Sequence, residues 1–108
     1  MSLWIESSRT PWTDVGEGIR RQVLGYGADL MLVRVAFDAG AEGQPHIHVH
    51  SQSSCVESGV FEVVIGSERK KLYAGDAFFV PSNTLHSCHC IEEGILIDAF
   101  SPMREDFV

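Results

Sequence analysis

The stretch GQPHIHVHSQSS, residues 43–54, holds three of the chain's five histidines. His46, His48 and His50 alternate with Ile47 and Val49, and Gln52 follows. Imidazole nitrogens bind divalent metals well, and an amide oxygen can complete such a set. On a strand the three rings would share one face. A straight strand, however, would carry Gln52 ~20 Å from His46. Metal–ligand bonds of only ~2 Å cannot bridge that gap. If both residues serve one ion, the chain must turn at residues 49–51. His46 and His48 then end one strand, Gln52 begins the next, and His50 is left beside the site. A further ligand must come from elsewhere. His86 suits, because it follows the strand end and turn VPSNTL. His89 competes, but its odd offset puts it on the opposite face of the same strand. The plain alternative is that HIHVH is polar strand surface.

A second candidate lies in GILIDAFSPMREDF, residues 94–107, where Asp98 shares a strand face with Leu96 and Phe100. A carboxylate among such neighbours costs free energy unless it is paired or keeps a proton at a raised pKa. An Asp bonded to backbone at a strand end, or bridged to an arginine, would look the same. The three cysteines, Cys55, Cys88 and Cys90, are an odd set without a secretion signal and do not form a disulfide framework. HSCHC could bind a soft metal. With no second cysteine pair to complete a tetrahedron, Cys88 and Cys90 read as small apolar residues on one strand face.

These residues need a frame. Runs rich in Val, Ile, Leu and Phe predict strands at 19–27, 28–37, 55–65, 69–74, 76–81, 86–91 and 94–100. Turn residues separate them: GYGAD, DAGAEGQP, IGSE, AGD, PSNT and EEG. No helical period is sustained, so the fold class is all-β, a sandwich or barrel. The chain of 108 residues is read as one domain, 1–108. Its first 18 residues are less patterned, and Trp4 and Trp12 are expected to pack on the barrel or on a partner. One helical turn is expected after Pro102. The formal net charge of −7 argues against nucleic acid as a partner. No apolar run approaches the ~20 residues that span a bilayer. No basic and apolar leader is visible, and a cytoplasmic location is expected.

The spacings resemble those of the cupins. Gly40, five residues, His46-x-His48, three residues, Gln52, six residues and Gly59 fit the first cupin motif, with glutamine where glutamate is usual. Gly75, five residues, Pro81, Asn83 and His86 fit the second, with Asn83 for glycine and Cys90 for asparagine. The motif core is 40–90, and the resemblance implies a single jelly-roll barrel, the double-stranded β-helix. With DAFSPMREDF and PSNTLHS added, nearly the whole chain resembles the small KdgF-type cupins of pectin and alginate catabolism. Ser51 departs from the acidic residue frequent there. The resemblance implies a divalent metal (nickel, zinc, manganese or iron) on His46, His48, Gln52 and His86. It implies Asp98 as acid/base, Phe100 as a wall for the sugar, and Arg104 as the grip on its carboxylate. The implied reaction opens cyclic 4,5-unsaturated uronate monosaccharides to the linear ketouronate, an isomerase- or hydrolyase-like step without redox. A small anionic sugar is then the substrate and a homodimer the assembly. A neutral Gln ligand leaves the metal its full charge, which favours Lewis-acid work. The alternatives are an iron-dependent cupin dioxygenase and a non-catalytic sugar- or anion-binding cupin.

Overall fold

Apolar residues alternate with polar ones along most of the chain, and these runs form eight antiparallel strands. They are β1 (Thr13–Gly16), β2 (Ile19–Gly27), β3 (Leu30–Phe37), β4 (Glu42–His46), β5 (Ser51–Ile65), β6 (Glu68–Tyr73), β7 (Ala77–Val80) and β8 (His86–Ser101). The computed structural model describes residues 3–108, so residues 1 and 2 of the expected domain lie outside the described residues. The only helical segments among these are short 3₁₀ turns, Ser7–Arg9 and Glu105–Phe107, the second falling where one turn was expected after Pro102.

Two long strands organise the rest. β5 and β8 pair along their whole length, from Ser51 opposite Ser101 to Ile65 opposite His86. Each changes its other partner on the way. β5 meets β7 through residues 52–55 and β6 through residues 60–65. β8 meets β4 near His86 and β3 through residues 94–100. One sheet thereby wraps over itself, as a jelly-roll requires.

The bend falls where Gly59 faces Gly94. Gly59 has φ +83°, and a Cβ there would lie 2.6 Å from the Glu92 carbonyl oxygen. A Cβ on Gly94 would lie 2.1 Å from the Ser58 carbonyl oxygen. The backbones touch, so neither position has room for a side chain. Register shifts between Val56 and Phe61 absorb the bend. This corrects the expected turn at EEG: strands 86–91 and 94–100 are one kinked strand. One strand, TDVG, was also missed, and the strand expected to end at the histidines, whose start the sequence does not mark, stops at His46, before His48. TDVG is short and fully exposed, and EGQPH is polar and contains a proline, so neither carries an apolar period.

Inward residues form two apolar clusters. One is built on Phe37, Phe61 and Leu96, the other on Met31, Val33 and Phe100. Phe37 and Phe61 meet edge to face at 5.2 Å, which adds ~0.5–1.5 kcal/mol beyond the area they bury. The N-terminal segment is pinned by buried Gln22, whose Nε2 donates to the carbonyls of Ser7 and Thr10 at 2.7 and 2.9 Å. Trp4 and Trp12 are both exposed, with the Arg20 guanidinium 5.4 Å from the Trp12 ring.

Gly94→Ala should therefore destabilise the barrel by at least the ~1–3 kcal/mol usual for overpacking, read as a lower urea midpoint. A variant as stable as the parent would mean that the close approach at the bend is not required.

Candidate metal centre

His46 is the last residue of β4 and pairs across the sheet with His86, the first of β8. The chain then leaves the sheet for residues 47–50, which puts His48 in the loop and returns Gln52 on β5. The chain thus turns between His46 and Gln52 as metal reach requires, but earlier than the expected 49–51, so His48 lies in the loop and does not end the strand with His46. A neighbouring turn braces this loop. Asn83 donates its N–H to the His48 carbonyl at 2.8 Å, and Ser82 Oγ donates to the Val49 carbonyl at 2.5 Å. Asn83 holds φ 58°, a left-handed conformation that asparagine tolerates in place of the motif's glycine.

All three rings are set by the same device. Nδ1 of His46, His48 and His86 donates to the carbonyl of Gln44, His50 and Thr84, at 2.9, 2.9 and 2.8 Å. A carbonyl only accepts, so Nδ1 carries the proton and each Nε2 presents a lone pair. Ligand nitrogens of the three rings lie within 4.8 Å of one another. His86 Nε2 is buried and has no hydrogen-bond partner. Burial pushes the His86 pKa down to about 4, and His48 is lowered by the same cause, so both rings stay neutral. Neutral imidazoles with converging lone pairs and a buried orphan nitrogen are the donor set a divalent metal requires.

Gln52 joins this set. Its Oε1 lies 3.1 Å from His48 Nε2. With Nδ1 of His48 already donating, these are two lone-pair atoms facing each other, which a cation between them would relieve. The amide is oriented from behind: Gln52 Nε2 donates to Ser54 Oγ at 2.9 Å, and Ser54 Oγ donates to Asp98 Oδ1 at 2.6 Å. Nothing in the sequence had singled out Ser54, because a serine in SQSS reads as an ordinary polar strand residue. Its period-two spacing from Gln52 was the available signal.

Asp98 stands on the inner face of β8 between Leu96 and Phe100, as alternation required, and is buried with them. Burial pushes its pKa up to about 6, against the pull of the Ser54 hydrogen bond and the Arg104 charge. Its Oδ2 makes no hydrogen bond among the described residues. Arg104 follows on the C-terminal segment, its guanidinium 5.1 Å from the Phe100 ring and 4.3 Å from the Phe107 ring. Asp106 holds the Nε and Nη2 edge of Arg104 at 3.1 and 2.9 Å. A cavity of about 180 Å³ is lined by His46, Gln52, His86, Asp98, Phe100 and Arg104, among others. All seven expected site residues therefore meet at one end of the barrel.

The remaining histidines and cysteines lie outside this set. His50 donates from Nε2 to the Met103 carbonyl at 3.1 Å, tying the C-terminal segment down beside the centre. His89 faces outward and bonds Glu42 at 2.6 Å. Cys90 is fully buried in the core, and burial pushes the Cys88 thiol up to about 12. Neither belongs to the group that could hold a metal.

An antiparallel barrel with three histidines from two of its motifs converging over an internal cavity is a cupin with a candidate metal centre. Residues 33–98 match the family model described as Cupin domain. The chain is 44% identical to the pectin degradation protein KdgF of Dickeya dadantii (strain 3937), over the full length of both. It superposes on KdgF from a Halomonas species with a TM-score of 0.95 at 39% identity, covering both chains completely. An RmlC-like cupin from Shewanella frigidimarina NCIMB 400 gives 0.97 at 47% identity, over 100% of this chain and 97% of that one. The chain belongs to the KdgF-type cupins.

Two outcomes follow from this geometry. His86→Ala should lower the affinity for divalent metal by ~100-fold or more in a competition titration. Unchanged affinity would place the metal elsewhere. Asp98→Asn, measured with metal removed by chelator, should stabilise the protein. An Asp whose folded pKa is raised to about 6 adds no penalty below the unfolded value near 4. The penalty grows as pH rises through 6, reaching about 3 kcal/mol. The variant should thus unfold at higher temperature at pH 7.5, and the gain should vanish below pH ~4. A variant no more stable at pH 7.5 would mean that burial does not raise the Asp98 pKa.

Proposed function

We propose that the protein is a metal-dependent enzyme that opens cyclic 4,5-unsaturated uronate monosaccharides to the linear ketouronate. The observation that carries this reading is Asp98: a buried carboxyl with its pKa near 6, linked through Ser54 and Gln52 to His48 of the three-histidine group, in a cavity shared with Arg104. The pectin degradation named for the Dickeya relative supports the substrate class. Uronates released from alginate offer the same reacting groups.

The chemistry asks for one proton to move. The anomeric hydroxyl loses its hydrogen and the bond from C1 to the ring oxygen breaks. C1 becomes an aldehyde, C4 gains a proton, and C5 becomes a ketone. No electrons leave the substrate, so no oxidant is consumed. A carboxyl that titrates near working pH can both take the hydroxyl proton and return one to carbon. Ser54 fixes one oxygen of Asp98 and leaves the other for this exchange. Arg104, whose Nε side is committed to Asp106, offers the Nη end to the sugar carboxylate. Phe100 lies against the ring as an apolar wall. A divalent ion on His46, His48, Gln52 and His86 (nickel, zinc, manganese or iron) would supply Lewis-acid polarisation of a sugar oxygen.

The test is the ultraviolet absorbance of the conjugated double bond. The protein should remove it faster than the spontaneous rate, under anaerobic conditions, and chelator should abolish the gain. Asp98→Asn should keep fold and metal while losing ~10²–10⁴-fold in turnover. Oxygen uptake tied to turnover would turn the assignment to a dioxygenase. Uronate binding with no absorbance change would turn it to a non-catalytic binder.

A further inference from the structure

Arg21 has no part in the site described so far, yet it faces the same cavity. On β2 the inward residues are Ile19, Arg21 and Val23, and the register sets them opposite Phe37, Val35 and Val33 of β3. Ile19 and Val23 pack on the two apolar clusters. A cation stands between them. The register continues into β8, where Val35 meets Leu96 and Val33 meets Asp98. Arg21 is therefore one rung away from the Asp98 row, on the same inner face, and it lines the cavity.

Its guanidinium makes no hydrogen bond or ion pair among the described residues. It stacks 3.8 Å from the centroid of Phe107, the ring that also carries Arg104 at 4.3 Å. The nearby carboxylate, Asp106, is already held by two donors of Arg104. Partial burial without a partner disfavours the charge, and the Arg21 pKa is lowered by that burial. An inward arginine whose N–H donors meet no protein acceptor has them free for a ligand in the cavity.

We propose that Arg21 is a second anion-binding residue of the cavity, acting with Arg104 on the carboxylate of a monosaccharide acid. The local charge supports it: around the Phe107 ring two arginines face one carboxylate, Asp106, so positive charge is in excess at that end of the cavity. The donor count supports it as well. A carboxylate accepts about four hydrogen bonds, and Arg104 has already committed one edge to Asp106. Arg104 and Arg21 together can saturate what Arg104 alone cannot. Phe107 contacts both cations, with Arg21 3.8 Å and Arg104 4.3 Å from its centroid. The choice of a sugar acid rests on the proposed function, but the anion site itself does not.

The test titrates D-galacturonate and neutral D-galactose into the full chain by calorimetry. The parent should bind galacturonate more tightly than galactose. Arg21→Gln should weaken galacturonate by ~10–100-fold and leave galactose binding and metal content unchanged. Arg21→Lys, which keeps the charge and loses the fork, should fall between. In the linearisation assay the loss in Arg21→Gln should fall on KM rather than on kcat. Equal galacturonate affinity in parent and Arg21→Gln would overturn the proposal, as would a parent with no preference for galacturonate over galactose. A parent without linearising activity that still shows the Arg21-dependent preference would remove the proposed reaction and keep this site.

Discussion

The backbones of Gly59 and Gly94 meet at a distance that no Cβ could survive, and the geometry of the centre depends on that contact. Because β5 and β8 can bend there together, each serves two partners. The upper half of β8 then carries Asp98 and Phe100 on an inner wall, while its first residue, His86, reaches back to His46 on β4. Straight strands of 15 and 16 residues would span ~50 Å. Folded over, the two ends of β8 lie on one cavity. A glycine that looks like a turn signal in the sequence is thus the hinge that brings His86 and Asp98 to one cavity.

The inner face is divided between stability and chemistry. The cluster around Phe61 and Cys90 is apolar and closed. The cavity beside it holds an orphan imidazole nitrogen, a carboxyl raised to about 6 and an arginine without a protein partner. Each of these disfavours the folded state, and none is explained by packing. Such groups persist where the apolar end of a barrel supplies a surplus of burial. The Phe37–Phe61 pair and the buried valines provide it here.

Much of this is legible in the amino-acid sequence. Period-two alternation placed Asp98 with Leu96 and Phe100, and the reach of a metal bond required a turn between His46 and Gln52. Other features were invisible for physical reasons. The EEG segment carries the residues of a turn, and only its contact with Ser58 and Gly59 makes it a kink. His50 was correctly set beside the centre, but its bond to Met103 spans 53 residues and has no local signature. Arg21 was missed although the period was there to read: in IRRQV, Ile19, Arg21 and Val23 share a face, and the doubled arginine hid that one of the pair points inward.

Why position 52 should be glutamine follows from the hydrogen bonds behind it. Ser54 has one hydroxyl proton, and it is given to Asp98. Gln52 meets that serine as a donor through Nε2, so its Oε1 is left to face His48. A glutamate at this position would have no N–H. It would compete with Asp98 for the one serine proton and would place a second negative charge close to a buried carboxyl. That charge would raise the Asp98 pKa further and bias it toward the protonated form. An amide keeps the ligand oxygen and supplies the missing donor. It also leaves Asp98 close to the point where it can take up or release a proton. Gln52, Ser54 and Asp98 are therefore one hydrogen-bonded chain, and the neutral amide is the element that lets it reach the histidine cluster with an oxygen while donating to the serine.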